Sequence, residues 1–251
     1  QGSAQASPSH PVRLLAKLPG RVTTSIMRRF LTLLTLLGCL ISCGETTSGF
    51  IEAQPNPMTV SLSGSSGAAI WQGQCSVCHG VAGKGNAALG APALTQLSAE
   101  YLVRQLEHFI NGVRGAHPND AAGKRMAVSV ANLDEVDVAR LATLISTELL
   151  PARPAKADKG DASRGEDYYV NICSACHGGN AQGNDALGAP ALAGLNDWYL
   201  RSSYQSYLDG VRGSHPDDFY GAQMSRLAPA FADTDEIDDV IAFITTLPPR
   251  R

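Results

Sequence analysis

Apolar residues recur at helical spacing in stretches that come in pairs along the chain. Leu102, Leu106, Phe109 and Ile110 fall on one face between Ala99 and Gly112, which predicts a helix ended by its glycine, and Asp197 to Gly210 matches it. Ile237, Val240, Ile241 and Ile244 keep the same period after Asp233-x-x-Glu236, and Asn132-x-x-Glu135 stands before a similar run. Each of these pairs reads as an N-cap with its capping-box partner, opening an amphipathic helix that closes its half. A first helix is expected from Gly67 into Cys78 and from Ser163 into Cys176, and the Gly-rich and Pro-rich stretches between helices are expected to be loops. No run alternates as a half-buried strand does, so the expected fold class is all-α.

The pattern is different before residue 67. Residues 1–26 lack an initiating Met and show no periodicity, and they are expected to be upstream sequence outside the fold. From Met27, the basic pair Arg28-Arg29 precedes an apolar run from Phe30 to Ile41. Residues 27–42 read as an export signal, since about 12 apolar residues are too few for a bilayer core of roughly 30 Å. The signal ends in Leu40-Ile41-Ser42-Cys43, which resembles the lipobox of bacterial lipoproteins and makes Cys43 the candidate lipid anchor. An earlier match at Cys39 would leave a very short signal, and an ordinary secretory signal containing two chance cysteines is the other reading. The stretch 43–66, rich in Ser, Gly, Pro and Thr, is expected to be a flexible tether with an r.m.s. reach of roughly 25 Å. A second linker, residues 151–162, separates two similar halves, 67–150 and 163–247.

The halves are an internal repeat. Cys75, Cys78, His79, Gly85, Asn86, Pro92, Leu94, Tyr101, Leu102, His117, Pro118 and Met126 all recur 98 residues later, without a gap. LGAPAL returns unchanged, and GVRGAHP returns as GVRGSHP. Beyond the methionines the match of NLDEVD with DTDEID sets an offset of 101, which predicts a three-residue insertion in the second copy.

Composition narrows the chemistry. A net charge of −3 gives no reason to expect a nucleic-acid partner. The halves differ, with 7 basic and 7 acidic side chains in residues 59–153 against 8 and 14 in residues 154–251. Such asymmetry is expected to orient docking to other proteins.

The repeated motifs are CSVCHG and CSACHG. On a helix, residues three and four apart share a face, so Cys75, Cys78 and His79 can address one ligand, as can Cys173, Cys176 and His177. The string C-x-x-C-H signals covalent attachment of a c-type haem, with thioethers from the two thiols and the iron held by the His. Met126 and Met224 each follow their His by 47 residues and are the candidate sixth ligands. His117 and His215 are the rivals for that place, as histidines beside Pro that are otherwise solvated or bonded to a nearby carboxylate. A zinc site would need a fourth ligand better than Met, and a thioredoxin-type pair would need a βαβ setting that the pattern lacks.

With these residues in view, the two halves resemble tandem class I cytochrome c domains, closest to dihaem cytochromes of the c4 type. The resemblance covers most of the chain beyond residue 67 and rests on CSVCHG, GAPAL, YLVRQLEHFINGVRG, Met126 and the closing helix. It departs from that pattern at His117 and His215 and in the weakly matching YLRSSYQSYLDGVRG. It implies two covalently bound haem c groups and gives Pro92 and Pro190 the role of accepting the axial His Nδ1 proton. It also implies that Gly67 with Trp71, and Gly165 with Tyr169, lie where the first and last helices cross. The expected function is outer-sphere electron transfer between a respiratory donor and a terminal oxidase or reductase, in a periplasmic protein held to a membrane by its anchor. A fixed subunit of an oxidase or dehydrogenase complex, and a dihaem redox enzyme, are the alternatives.

Overall fold

The computed structural model describes residues 66–151, 153, 155–231 and 234–250. The upstream and signal segments, Cys43 and the tether as far as residue 65, and also Asp233, lie outside these residues. Among the described residues there are eight longer helical runs, three short 3-10 turns (Ala87–Leu89, Asp185–Leu187 and Ala228–Phe231) and no strand; two isolated bridges, Asn86 with Ala91 and Asn184 with Ala189, pin a tight loop in each half. In the first half α1 is a helical run in three parts, Gly67–Ile70, Trp71–Cys75 and Ser76–His79. It is followed by α2 (Ala99–Ile110), α3 (Ala121–Val130) and α4 (Glu135–Thr147). In the second half α5 is the run Ala162–Tyr168, Tyr169–Cys173 and Ser174–His177. Then come α6 (Asp197–Leu208), α7 (Phe219–Leu227) and α8 (Thr234–Ile244).

The expected first, middle and closing helices all form, with two corrections. The first helix is not uniform, because its middle turn, Trp71–Cys75 or Tyr169–Cys173, is widened to π geometry by one extra residue. The cap of α4 is Asp134, whose carboxylate accepts the Asp137 N–H at 2.8 Å, so the expected Asn132 start is two residues early. The repeat offset is corrected with it. Glu135 and Thr234 open matching helices 99 residues apart, and Val130 and Leu133 correspond in burial to Ala228 and Phe231 at an offset of 98. One residue, not three, is therefore inserted, between Phe231 and Thr234. The two DE pairs are out of register with the packing.

The Met-bearing helices α3 and α7 stand where loops were expected. Each is opened by an aspartate, Asp120 accepting from Gly123 N–H at 2.7 Å and Asp218 from Gly221 N–H at 2.9 Å. Such caps contribute about 1 kcal/mol each.

The core of each half forms where its first and last helices cross. A Cβ on Gly67 would sit 2.7 Å from the Arg140 carbonyl oxygen, and one on Gly165 would collide with the Asp239 carbonyl, so only glycine allows the approach. Ile70, Trp71, Leu141 and Ile145 fill the first crossing, and Tyr169, Val240, Ile241 and Ile244 the second. Fully burying such a side chain stabilises by about 1.5–3 kcal/mol.

The halves also pack on one another. Arg104 of α2 donates to the Gly188 carbonyl at 2.7 Å and lies over the Tyr220 ring, 4.6 Å from its centroid. His108 approaches the buried Asp218 at 3.9 Å. Asn196, at the start of α6, accepts the Ala93 N–H at 2.8 Å.

Candidate haem-binding sites

Each site is built on the last turn of α1 or α5. The buried His79 ring donates its Nδ1 proton to the Pro92 carbonyl at 2.8 Å, and His177 does the same to Pro190 at 2.8 Å. A carbonyl only accepts, so Nδ1 carries the proton in both rings and the Nε2 lone pair remains for a metal. Burial holds both imidazoles below their usual pKa, partly offset by the proline hydrogen bond. The ring is thus neutral at pH 7 and suited to coordination.

The proline loop is fixed from behind. Gly85 and Gly183, at φ +82° and +81°, lie against the Pro92–Ala93 and Pro190–Ala191 peptides, and a Cβ on Gly85 would come within 2.6 Å of the Ala93 nitrogen. The recurrence of these glycines follows from that contact. On the other side, Trp71 Nε1–H donates to the Val81 carbonyl at 3.0 Å, and the Tyr169 hydroxyl donates to Gly178 at 2.7 Å. Two different aromatics thereby tie the same helix to the loop after its His.

Cys75 and Cys173 are half-buried, while Cys78 and Cys176 are exposed. Burial, and then the neighbouring thiol, pushes Cys75 and Cys173 up to about 11. These are uncharged thiols at neutral pH. Among the described residues no three of His, Cys, Asp and Glu converge on a metal-ion position.

Met126 lies on α3 and Met224 at the same place on α7, both half-buried and Met126 packed against the core. In the first half α3 is tied to the Cys-bearing helix by a hydrogen bond from the Gln74 side chain to the Ser129 carbonyl. His117 and His215 sit in the turns just before these helices, where their Nδ1 atoms accept the Asn119 and Asp217 N–H groups at 3.2 Å.

One recurring residue was missed as a candidate, although GVRG appears twice. Arg114 lies over the Phe109 ring and Arg212 over the Tyr207 ring, each 4.4 Å from the centroid, and each has its Nε buried without an acceptor among the described residues. A buried guanidinium donor without an acceptor is costly. A haem propionate is an anion that would satisfy it. The neutral imidazole, the paired thiols and a guanidinium with its Nε left unbonded, in each half, fit a covalently bound haem.

The comparisons with known proteins agree. The sequence model of the cytochrome c family, described as "Cytochrome c", matches residues 65–148 and 162–248, together more than half of the chain. The thiosulfate dehydrogenase electron acceptor of Thiomonas intermedia is 33% identical over 57% of this chain and 66% of its own length. A Cbb3-type cytochrome c oxidase subunit FixP from Bradyrhizobium sp. is 29% identical over 58% of this chain and 50% of its own. The chain thus spans between half and about two thirds of these relatives. The structure of reduced recombinant cytochrome c4 from Pseudomonas stutzeri shares the fold, with a TM-score of 0.57 at 24% identity, covering 72% of this chain and 96% of that one. With two matched domains, two C-x-x-C-H helices and two buried histidines on proline carbonyls, the chain belongs to the cytochrome c family as a tandem dihaem member with two covalently bound haem c groups.

Proposed function

We propose that the chain carries single electrons between redox proteins, with His79 and Met126 as the axial ligands of the first haem and His177 and Met224 as those of the second. The haem supplies a one-electron iron couple. The protein's residues do the rest: Cys75, Cys78, Cys173 and Cys176 hold the group, Pro92 and Pro190 set the imidazole tautomer, and Arg114 and Arg212 meet its carboxylates. The observation that carries this reading is the pairing, in each half, of one proline-bonded His with one half-buried Met on a matching helix. With a His and a Met held to each iron, no position would remain open for a small substrate, which favours a carrier over an enzyme. The local bonds of His117 and His215 support Met rather than His as the sixth ligand.

The named relatives include an electron acceptor of a dehydrogenase and an oxidase subunit, so the donor and acceptor are of the respiratory kind, and a fixed place in such a complex is the second reading. Cys43 is the proposed lipid anchor, with the tether placing the domains beyond the membrane surface on the periplasmic side. Among the described residues no helix is long and apolar enough to cross a membrane.

The ferric holoprotein is expected to show the long-wavelength charge-transfer band of sulfur ligation, lost by half in Met126→Ala or Met224→Ala. The ferrous wild type is expected to resist carbon monoxide at both centres. Ready uptake at either would end the two-methionine reading. Release of a Cys43→Ser form from membranes tests the anchor.

A further inference from the structure

We propose that Asn196 of the second domain is a positioning residue for the haem of the first, acting through a single peptide group. The Pro92 carbonyl accepts the His79 Nδ1 proton at 2.8 Å. The other end of that same amide, the Ala93 N–H, is buried and donates to Asn196 Oδ1 at 2.8 Å. His79, the Pro92–Ala93 peptide and Asn196 therefore form one unbroken relay that crosses between the domains.

Asn196 is placed for this at a cost to its own helix. It occupies the N-cap of α6, where an asparagine ordinarily accepts an N–H of the first turn, yet its side chain caps nothing there. Its amide instead reaches across, Oδ1 to Ala93 and Nδ2 to the Lys84 carbonyl at 3.4 Å, which fixes which end is the acceptor. The matching residue in the first domain, Ser98, behaves conventionally, accepting the Tyr101 N–H at 3.2 Å and bonding to Asp185. The two domains therefore do not treat each other's proline loops alike.

The chemical consequence follows from the conjugation of the amide. A hydrogen bond at N–H moves electron density onto the carbonyl oxygen, and such chains strengthen each member by roughly 10–30%. A stronger acceptor at Pro92 draws on the His79 Nδ1 proton and makes Nε2 the more basic ligand, which favours ferric iron. Asn196 thereby lowers the potential of the first haem and leaves the second unaffected.

The inference rests on His79 being the first haem's ligand, and His79→Gly tests that separately: an unchanged low-spin spectrum at both haems would overturn the ligand assignment itself. The inference is tested by redox titration of the holoprotein, with Met126→His marking which wave belongs to the first haem. Asn196→Leu is expected to raise that midpoint by roughly a threefold change in the oxidised-to-reduced ratio, about 30 mV at ~59 mV per decade for one electron. The His79 Nδ1 proton resonance of the reduced protein should move with it. Asn196→Asp, which keeps an acceptor and strengthens it, should lower the same midpoint. Midpoints that stay put, move together in both haems, or shift in one direction for both variants would refute the relay, as would a moved midpoint with an unmoved Nδ1 proton.

Discussion

The two domains share every residue proposed to touch the haem and differ in the layer behind it, where the substitutions come in matched sets. In the first domain Trp71 packs beside Gly83, and a Cβ on Gly83 would lie 2.8 Å from Thr95 Cγ2. In the second, the smaller Tyr169 stands for Trp71 and Ala193 for Thr95, and the freed space holds the buried methyl of Ala181, a non-glycine residue at φ +52°. The helix crossings differ too. Arg164 donates from Nε to Asp239 at 2.8 Å and from Nη2 at 3.0 Å, clasping α5 to α8. At the matching places the first domain has Ser66 and Arg140, a pair without the carboxylate that an ion pair needs. The contrast teaches that haem chemistry holds the front of the domain constant while the back repacks, provided that total volume is kept.

The largest effect that would break this comparison is loss of a haem. Cys75→Ala with Cys78→Ala, and Cys173→Ala with Cys176→Ala, are each expected to halve the covalent haem seen in an alkaline pyridine spectrum. Domains of roughly 85 residues bury a limited core, so the emptied half should also lose helix by circular dichroism. The first domain should lose more of it, because its crossing lacks the Arg164–Asp239 ion pair of the second; equal losses would remove the proposed difference. Next come the crossing glycines. Gly165→Ala should destabilise the holoprotein by ~3 kcal/mol and Gly67→Ala by ~2 kcal/mol in guanidinium unfolding, following the tighter approach at Asp239. A reversed order would contradict the packing.

Smaller again is the exchange of backing residues. Gly83→Ala should cost ~2 kcal/mol, and adding Thr95→Ala should relieve the clash but leave the left-handed backbone term of about 1 kcal/mol. The smallest effect concerns pH. The Arg164 hydrogen bond holds the Asp239 carboxyl below its usual range, against a burial effect that pushes it up. A carboxyl lower in the folded than in the unfolded state stabilises above the unfolded value of about 3.9, and that contribution is lost as pH falls through the folded value. Asp239→Asn should therefore lower the melting midpoint at pH 7, and its gap from wild type should close below about pH 4.

Much of this was legible before any coordinates. The repeat, C-x-x-C-H, the proline and the middle and closing helices all leave local marks that a sequence carries openly. What was hidden has physical reasons. The helices α3 and α7 begin in AAGKRM and FYGAQM, where an early glycine and mixed polarity blur the helical period, although Asp120 and Asp218 stand ready as caps. The one-residue insertion was misplaced because both DE pairs look like caps, and only burial of Leu141 and Val240 shows which register packs. The link from Asn196 to Ala93 spans 103 residues and carries no local signal at all.

The wide turn at Trp71–Cys75, repeated at Tyr169–Cys173, divides one helix into two angular frames. The frame before it is indexed by the glycine crossing and the aromatic ring, the frame after it by thiols and imidazole, and the surplus residue is the gear between them. At 3.6 residues per turn, deleting one position there would swing the sulfurs by about 100° relative to the core. Such a chain would present the cysteines of that half to the wrong side, and it would accumulate with the haem of the other half alone.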